Sequence, residues 1–457
     1  MQKLSRRNFI SAGASLAVGA ACAGATAAPQ KAAKKPAAKK PAAKKPAPQA
    51  PAQPAGALID SAPVLQNAAA TSIGVAFTVT GDASGWVEYA TTPDLKNATR
   101  AYSGEQGMMD ISERVVKVRL TGLKPATRYY YRIGADRIDY KGGYAMRNLG
   151  PEVVQEIHSF TTLGPTATGS FCVINDTHEH KPALKRVFTK IAELKPSVVV
   201  WNGDASNTSE TLERVLDVFV RPHPDFPAYA ADTPYLFLNG NHDYRGRANR
   251  RLRDVMMGRE PAERASVFAG LPRNFVQRLG DIALIGLDTG EDKLDTNPLF
   301  ANVFRMREYR ELQAKWLAAA VESEEVKTAK FKIAFCHIPL FDADPTANPG
   351  DVAPADKSPA YRNDFAIWQR TCAQLWSPSF ERAGVQLVIT AHQHHFRYDA
   401  PTATRPWAQI VGGGCGENLA KHDFPTVIEG KVVDGRLVVR VFDMLRGTLA
   451  KELTFQA

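Results

Sequence analysis

The chain has 457 residues, 44% of them hydrophobic and 23% charged, with 57 Lys and Arg against 47 Asp and Glu. That balance excludes a largely disordered or fibrous chain, and the length leaves room for two or three domains. The formal charge of +10 does not indicate a basic nucleic-acid-binding domain. Residues 1–57 hold ten basic residues and no acid, which leaves 47 basic and 47 acidic residues from 58 onward.

Residues 1–27 read as an address. Ser5-Arg6-Arg7-Asn8-Phe9-Ile10 precedes a mildly apolar, small-residue run over 11–21, and Ala25-Thr26-Ala27 offers a small-x-small cleavage site. A basic start, a short apolar stretch and that site make a secretory signal. Its Arg pair resembles the twin-arginine type, which implies export through that machinery to the periplasm or the medium. No other segment approaches the ~20 apolar residues of a membrane span. Residues 28–57 repeat Ala-Ala-Lys-Lys-Pro three times. Proline blocks helix propagation and spaced lysines repel, so this is an extended, semi-rigid linker. A solvated spacer is the simpler reading of it; weak association with an anionic envelope polymer is the sharper one. Cleavage would leave Cys172, Cys336, Cys372 and Cys415, which admit three full pairings or none.

From 58 to 164 the pattern is all-β. Short strands are expected over 71–79, 86–90, 115–120, 128–133 and 156–161, separated by turns carrying Gly, Pro or Asp. The run Leu123-Lys124-Pro125-Ala126-Thr127-Arg128-Tyr129-Tyr130-Tyr131 resembles the tyrosine-corner region of fibronectin type III-like sandwiches. From 165 to 457 the texture is α/β. Apolar runs at 170–174, 197–201, 235–238, 282–287, 331–335 and 385–389 alternate with amphipathic stretches at 182–194, 209–220 and 308–321. In open α/β folds ligands gather beyond the carboxyl ends of strands, so the residues that follow these runs carry the functional information.

In chain order those residues are Asn175-Asp176-Thr177-His178, Asn202-Gly203-Asp204-Ala205-Ser206-Asn207, Asn239-Gly240-Asn241-His242-Asp243, Cys336-His337 and Ala391-His392-Gln393-His394-His395. Any one of them is a weak signal, because Asn-Gly is usually a turn and a lone strand-end His is usually a core residue. The set is stronger: six of the ten histidines fall inside it. Carboxylates and neutral imidazoles are ligands of borderline metals, and seven such groups exceed one tetrahedral site. Two metals sharing a carboxylate fit the count.

The order Asp-x-His, Gly-Asp, Gly-Asn-His-Asp, His, x-His-x-His resembles the calcineurin-like metallophosphoesterases over 170–395. With a sandwich placed before it, the chain resembles purple acid phosphatases. The resemblance implies a two-sheet α/β sandwich behind an all-β fibronectin type III-like domain, with two metal ions (Fe, Mn or Zn). It implies that Asp176, His178, Asp204 and His394 hold one ion and that Asp204 bridges to a second held by Asn241, His337 and His392. His242 would lie at the substrate phosphate, with Asp243 orienting it, and the nucleophile would be a hydroxide bridging the metals. Tyr244, Arg245 and His395 are further candidates for substrate contact. Two departures weaken a ferric requirement: Asn207 stands where purple acid phosphatases have Tyr, and His178 is present where they lack it. The activity implied is hydrolysis of phosphomonoesters. A phosphodiesterase with the same metals is the nearest alternative, and an envelope-binding protein with a vestigial site is an alternative of another class.

Overall fold

The computed structural model describes residues 56–258, 271–300, 303–341, 359–418 and 423–457. The signal, almost all of the linker and most of the Pro/Asp-rich stretch 342–364 lie outside the described residues. The N-terminal part contributes β1 (Val64–Gln66), β2 (Ile73–Thr78), β3 (Ala83–Ala90), β4 (Thr99–Tyr102), β5 (Gly104–Glu105), β6 (Met108–Met109), β7 (Val115–Leu120), β8 (Arg128–Tyr140), β9 (Met146–Val153) and β10 (His158–Thr161). The remainder runs β11 (Ser170–Ile174), α1 (Lys181–Leu194), β12 (Val198–Asn202), α2 (Leu212–Phe219), β13 (Tyr235–Leu238), β14 (Phe275–Leu279), β15 (Ile282–Gly286), α3 (Met306–Ala320), α4 (Glu324–Lys327), β16 (Phe331–Phe335), α5 (Pro359–Ala383), β17 (Leu387–Thr390), β18 (Arg397–Asp399), β19 (Ala408–Val411), β20 (Thr426–Val433), β21 (Arg436–Asp443) and β22 (Thr448–Phe455).

Two large sheets result. One has nine strands in the order β22-β21-β20-β11-β12-β13-β1-β2-β7, and the other six in the order β14-β15-β16-β17-β19-β18. Strands β11, β12 and β13 are parallel neighbours, as are β15, β16, β17 and β19. Each of β11, β12, β13 and β17 is buried along its whole length, which is why they read as unbroken apolar runs and not as alternations. The sheets meet face to face: Phe171, Val173, Val198 and Leu236 share one core with Ile333, Phe335, Leu387 and Ile389. The outer face of the first sheet buries α1 and α2 through Phe188, Ile191, Leu216 and Phe219 against Cys172 and Trp201. The outer face of the second buries α3 and α5 through Trp316, Trp368, Trp376 and Phe380. This is the expected two-sheet sandwich, flanked by helices.

The N-terminal sandwich is not a detached bead. Its second sheet is β10-β8-β3-β4, with β9 on β8. Its other strands, β1, β2 and β7, extend the nine-stranded sheet, with Gln66 opposite Tyr235 in a parallel pairing. The tyrosine corner forms at Tyr129, whose hydroxyl accepts the Lys124 N–H at 2.9 Å. Two residues on, the buried Tyr131 hydroxyl donates to the Ala231 carbonyl at 2.6 Å, fastening this strand to the turn before β13. All four cysteines among the described residues are free thiols. No helix among the described residues is long and apolar enough to cross a membrane.

Candidate metal centre

The five motifs converge where the carboxyl ends of the two parallel sets meet. Three follow β11, β12 and β13 in one sheet, and two follow β16 and β17 in the other. Asn202, the last residue of β12, donates from Nδ2 to the Cys336 carbonyl at 3.1 Å and the Ile389 carbonyl at 3.2 Å. That side chain fixes the spacing of the two sheets at the site. The turns are tight enough that Asp176, His178, Asp204, His392 and His394 all adopt positive φ, between 44° and 69°. Residues other than Gly rarely adopt this region, Asp and His more readily than most, and strain of this kind collects at functional sites.

The side chains form two overlapping groups. Asp176, His178, Asp204 and His394 place their donor atoms within 4.8 Å of one another, as do Asp204, His337 and His392, so Asp204 belongs to both. His178 Nε2 lies 3.0 Å from His394 Nε2 and 3.5 Å from Asp204 Oδ2. His337 Nε2 lies 3.3 Å from Asp204 Oδ2 and 3.7 Å from Asp176 Oδ1. Ligands each about 2.1 Å from one ion stand about 3–3.5 Å apart, so these spacings suit shared coordination. Asn241 Oδ1 lies 2.9 Å from His392 Nδ1 and so stands in the second group.

The donors fit metal on a second count. Asp176 Oδ1 and His337 Nε2 are buried and have no hydrogen-bond partner, a costly state for polar atoms unless something binds them. Their other atoms are engaged. Asp176 Oδ2 accepts from His392 N at 2.9 Å and Asn175 Nδ2 at 2.8 Å. His337 Nδ1 donates to the Asn202 carbonyl at 2.8 Å, which turns Nε2 toward the carboxylates, where it can give a lone pair to a metal that displaces its proton. Burial opposes a proton on His337, but the charges of Asp204 and Asp176 outweigh it and push its pKa to about 10. The two carboxylates among the four imidazoles therefore attract positive charge.

Glycines allow this closeness. A Cβ on Gly203, which has φ +85°, would sit 2.4 Å from His337 Nδ1. One on Gly240 would sit 2.2 Å from Asp204 Oδ1 and 2.4 Å from Asp204 N. Gly240→Ala is expected to displace Asp204 and to weaken metal retention by about 10–100-fold, read by dialysis against a graded chelator; unchanged retention would rule out that dependence.

His242 sits at the edge of this cluster, its ring 4.8 Å from that of His178 in an edge-to-face arrangement. Its backbone N–H is donated to Asp204 Oδ1 at 2.8 Å. Burial lowers its pKa to about 4 against the pull of Asp204. The orienting contact expected from Asp243 is not among that carboxylate's hydrogen bonds. Asp243 accepts Ser206 N and Oγ at 3.0 Å and Gly240 N at 2.9 Å, so it braces the two loops that carry Asp204 and Asn241. Burial and the neighbouring Asp204 charge push its pKa to about 7. The group at the His242 ring is Arg245, whose Nη1 donates to Nε2 at 3.3 Å.

Arg245 is itself held, with Nη2 2.6 Å from Glu291 Oε1 and 2.7 Å from Asp292 Oδ1. The Tyr244 hydroxyl is donated to Asp288. His395 Nδ1 bonds the Gln393 carbonyl at 2.9 Å, and its side chain is partly exposed beside the cluster. Asn207 is exposed, with its N–H on Glu179. Sequence reasoning passed over Glu291 and Asp292, although Asp288-Thr289-Gly290-Glu291-Asp292 follows the apolar run at 282–287 as the other motifs follow theirs. The glycine-rich stretch 412–416 joins β19 to the strands that follow it. It presses on the site from behind, with the Gly413 carbonyl accepting from Asn175 at 2.9 Å and Gly414 N donating to the His394 carbonyl at 3.0 Å.

A two-sheet α/β sandwich with seven Asp, Asn and His side chains gathered at its sheet edges, one carboxylate common to two groups, defines a metallophosphoesterase able to hold two ions. Residues 169–396 match the family model described as Calcineurin-like phosphoesterase, and residues 62–162 match Purple acid Phosphatase, N-terminal domain. The chain therefore carries a calcineurin-like phosphoesterase domain behind a purple acid phosphatase N-terminal domain and is a metal-dependent phosphoester hydrolase. Among solved structures it resembles purple acid phosphatase PPD1 from yellow lupin (Lupinus luteus) seeds at 14% identity, covering 86% of this chain and 74% of that one with a TM-score of 0.56. It resembles PhoD at 13% identity, covering 86% of this chain and 90% of that one with a TM-score of 0.57. No match was found among curated proteins.

Proposed function

We propose that the protein is an exported phosphatase that hydrolyses phosphomonoesters with two metal ions. The observation that carries this reading is the shared Asp204 at the centre of seven convergent donors with two orphaned ligand atoms among them. The match of residues 62–162 to the purple acid phosphatase N-terminal domain supports reading the enzyme as a phosphatase, and the monoester preference is the proposal to be tested. Asp176, His178, Asp204 and His394 would hold one ion, and Asp204, Asn241, His337 and His392 the other. When bound, such a pair supplies Lewis acidity at the phosphoryl oxygens and lowers the pKa of water to generate the nucleophile. His242, at the edge of the donors beside His178, would stabilise or protonate the leaving oxygen. Arg245 fixes the orientation of that ring, and Asp243 holds the loops that carry Asp204 and Asn241. The nitrogen and oxygen donors suit Fe, Mn or Zn, and Asn207 brings no phenolate. Export rests on the sequence of residues 1–27, and an association of the linker lysines with anionic envelope polymers rests on their charge alone.

The expected result is that chelation removes activity and that re-addition of Mn, Zn or Fe restores it. The restored enzyme should hydrolyse p-nitrophenyl phosphate faster than bis(p-nitrophenyl) phosphate. A strong diester preference in kcat/KM would replace the monoester reading with the phosphodiesterase one. A protein that hydrolyses neither ester with any of these metals would leave the envelope-binding reading standing.

A further inference from the structure

Beside the donors lies an apolar shelf that neither the metal ligands nor the core accounts for. It is built by the turn Pro298–Phe300 and by Val303 and Phe304. Leu299 is 78% exposed and Val303 57% exposed. Single exposed aliphatics are common, but two on one short segment backed by aromatic rings form a patch. Behind them Phe300 and Phe304 pack edge to face with centroids 5.4 Å apart, and Phe304 meets the Tyr244 ring at 6.3 Å. The backbone is tied locally, with Leu299 N donating to Asn297 Oδ1 at 3.0 Å and Val303 N to the Phe300 carbonyl at 3.1 Å.

One residue connects this shelf to the chemistry. The Arg245 guanidinium carbon lies 5.5 Å from the Phe300 ring centroid, within cation–π range, and its Nη1 reaches His242 Nε2. A group leaving from phosphorus past His242 therefore meets Arg245 and then Phe300, Leu299 and Val303. The charge of Arg245 is already matched by Glu291 and Asp292. A second cation, the exposed Arg250, lies 4.8 Å from the Phe304 ring centroid, so the shelf is apolar at Leu299, Phe300 and Val303 and carries positive charge at its Phe304 end.

We propose that Leu299, Phe300 and Val303 select the leaving group, making the substrate a phosphomonoester of an aromatic or similarly bulky apolar alcohol. This rests on the phosphomonoesterase reading above, and it adds that the preference is set by this segment and not by the metals.

The test compares 2-naphthyl phosphate with phenyl phosphate, whose leaving groups are of similar acidity, and with glycerol 2-phosphate. The corresponding naphthyl and phenyl diesters are run in parallel on the metal-loaded full chain. Binding of the non-hydrolysable naphthylmethylphosphonate and benzylphosphonate is measured by calorimetry. The wild-type protein is expected to favour naphthyl over phenyl in kcat/KM and in affinity. Leu299→Ser/Val303→Ser should lower both ratios about tenfold, mainly through KM, with the thermal unfolding profile unchanged because both side chains are exposed. Phe300→Ala provides a second variant within the same segment. A naphthyl-to-phenyl ratio near one in the wild-type protein, or one that survives the substitutions, overturns the proposal. Hydrolysis of the diesters alone would overturn the monoester reading while the same ratio still decides the shelf. Absence of all hydrolysis leaves the phosphonate affinities to decide it.

Discussion

Asp204→Asn is expected to remove turnover by about a thousandfold while leaving the protein folded. Asp204 has φ +48°, and Asn is among the few residues that accept the left-handed region readily, so the substitution preserves the backbone. The amide oxygen still accepts the His242 N–H that Asp204 Oδ1 accepts at 2.8 Å. What is lost is charge on the other oxygen, which stands 3.5 Å from His178 Nε2 and 3.3 Å from His337 Nε2. Because both donor groups contain Asp204, a neutral residue here weakens both ions at once. Elemental analysis of the variant should show lowered metal content, and circular dichroism should match the parent protein. Retained metal with activity within tenfold of the wild type would sink the assignment of Asp204 as the shared ligand.

That residue was legible in the sequence because metal chemistry restricts residue types, and parallel strands restrict where those types can stand. Asp176, His178, Asp204, Asn241, His337, His392 and His394 each follow an apolar run, and the turn cannot be long if the side chain is to meet the others. The strand cores were legible for the related reason that β11 and β13, buried on both faces, admit only apolar residues. Other features depend on pairings distant in the chain. That β1, β2 and β7 continue the catalytic sheet is decided by Gln66 meeting Tyr235, and no local pattern encodes a neighbour 169 residues away. The positive φ at five ligand positions follows from closure against the facing sheet, since none of the five is Gly. Helix α5 was not among the expected amphipathic stretches, and it carries Pro359 at its start and Pro378 within it. Pro at a helix start costs nothing, and Pro378 sits inside a helix whose Trp368, Trp376 and Phe380 are fully buried. The role of Glu291 and Asp292 was hidden because acids after a strand are ordinary until Arg245 is seen between them.

Arg245→Met is expected to lower stability by about 3–5 kcal/mol. The Glu291 and Asp292 side chains are only 1% and 2% exposed, and Arg245 bonds both, with a further bond from Nε to Glu291 Oε2 at 2.9 Å. Met fills much of the volume and keeps a contact for Phe300, but it strands the carboxylates. Lys293 Nζ, 2.5 Å from Asp292 Oδ1, compensates only one of them. The sign of the pH dependence follows from Glu291. Burial, with Asp292 beside it, already pushes its pKa up to about 8, and losing the guanidinium raises it further. A carboxyl whose folded pKa exceeds its unfolded value makes the native state bind the extra proton, so stability falls as pH rises between the two. The parent and the variant lose this stability in parallel up to about pH 8, so the variant's deficit should grow above it and be larger at about pH 9 than at about pH 5, measured by urea unfolding at both. Arg245→Lys, which keeps charge without the fork, should fall between the two. A phosphate-clamping Arg245 would behave differently, leaving unfolding unchanged at either pH and raising KM. A structural Arg245 moves the unfolding midpoint, and through the His242 ring it lowers kcat more than it raises KM.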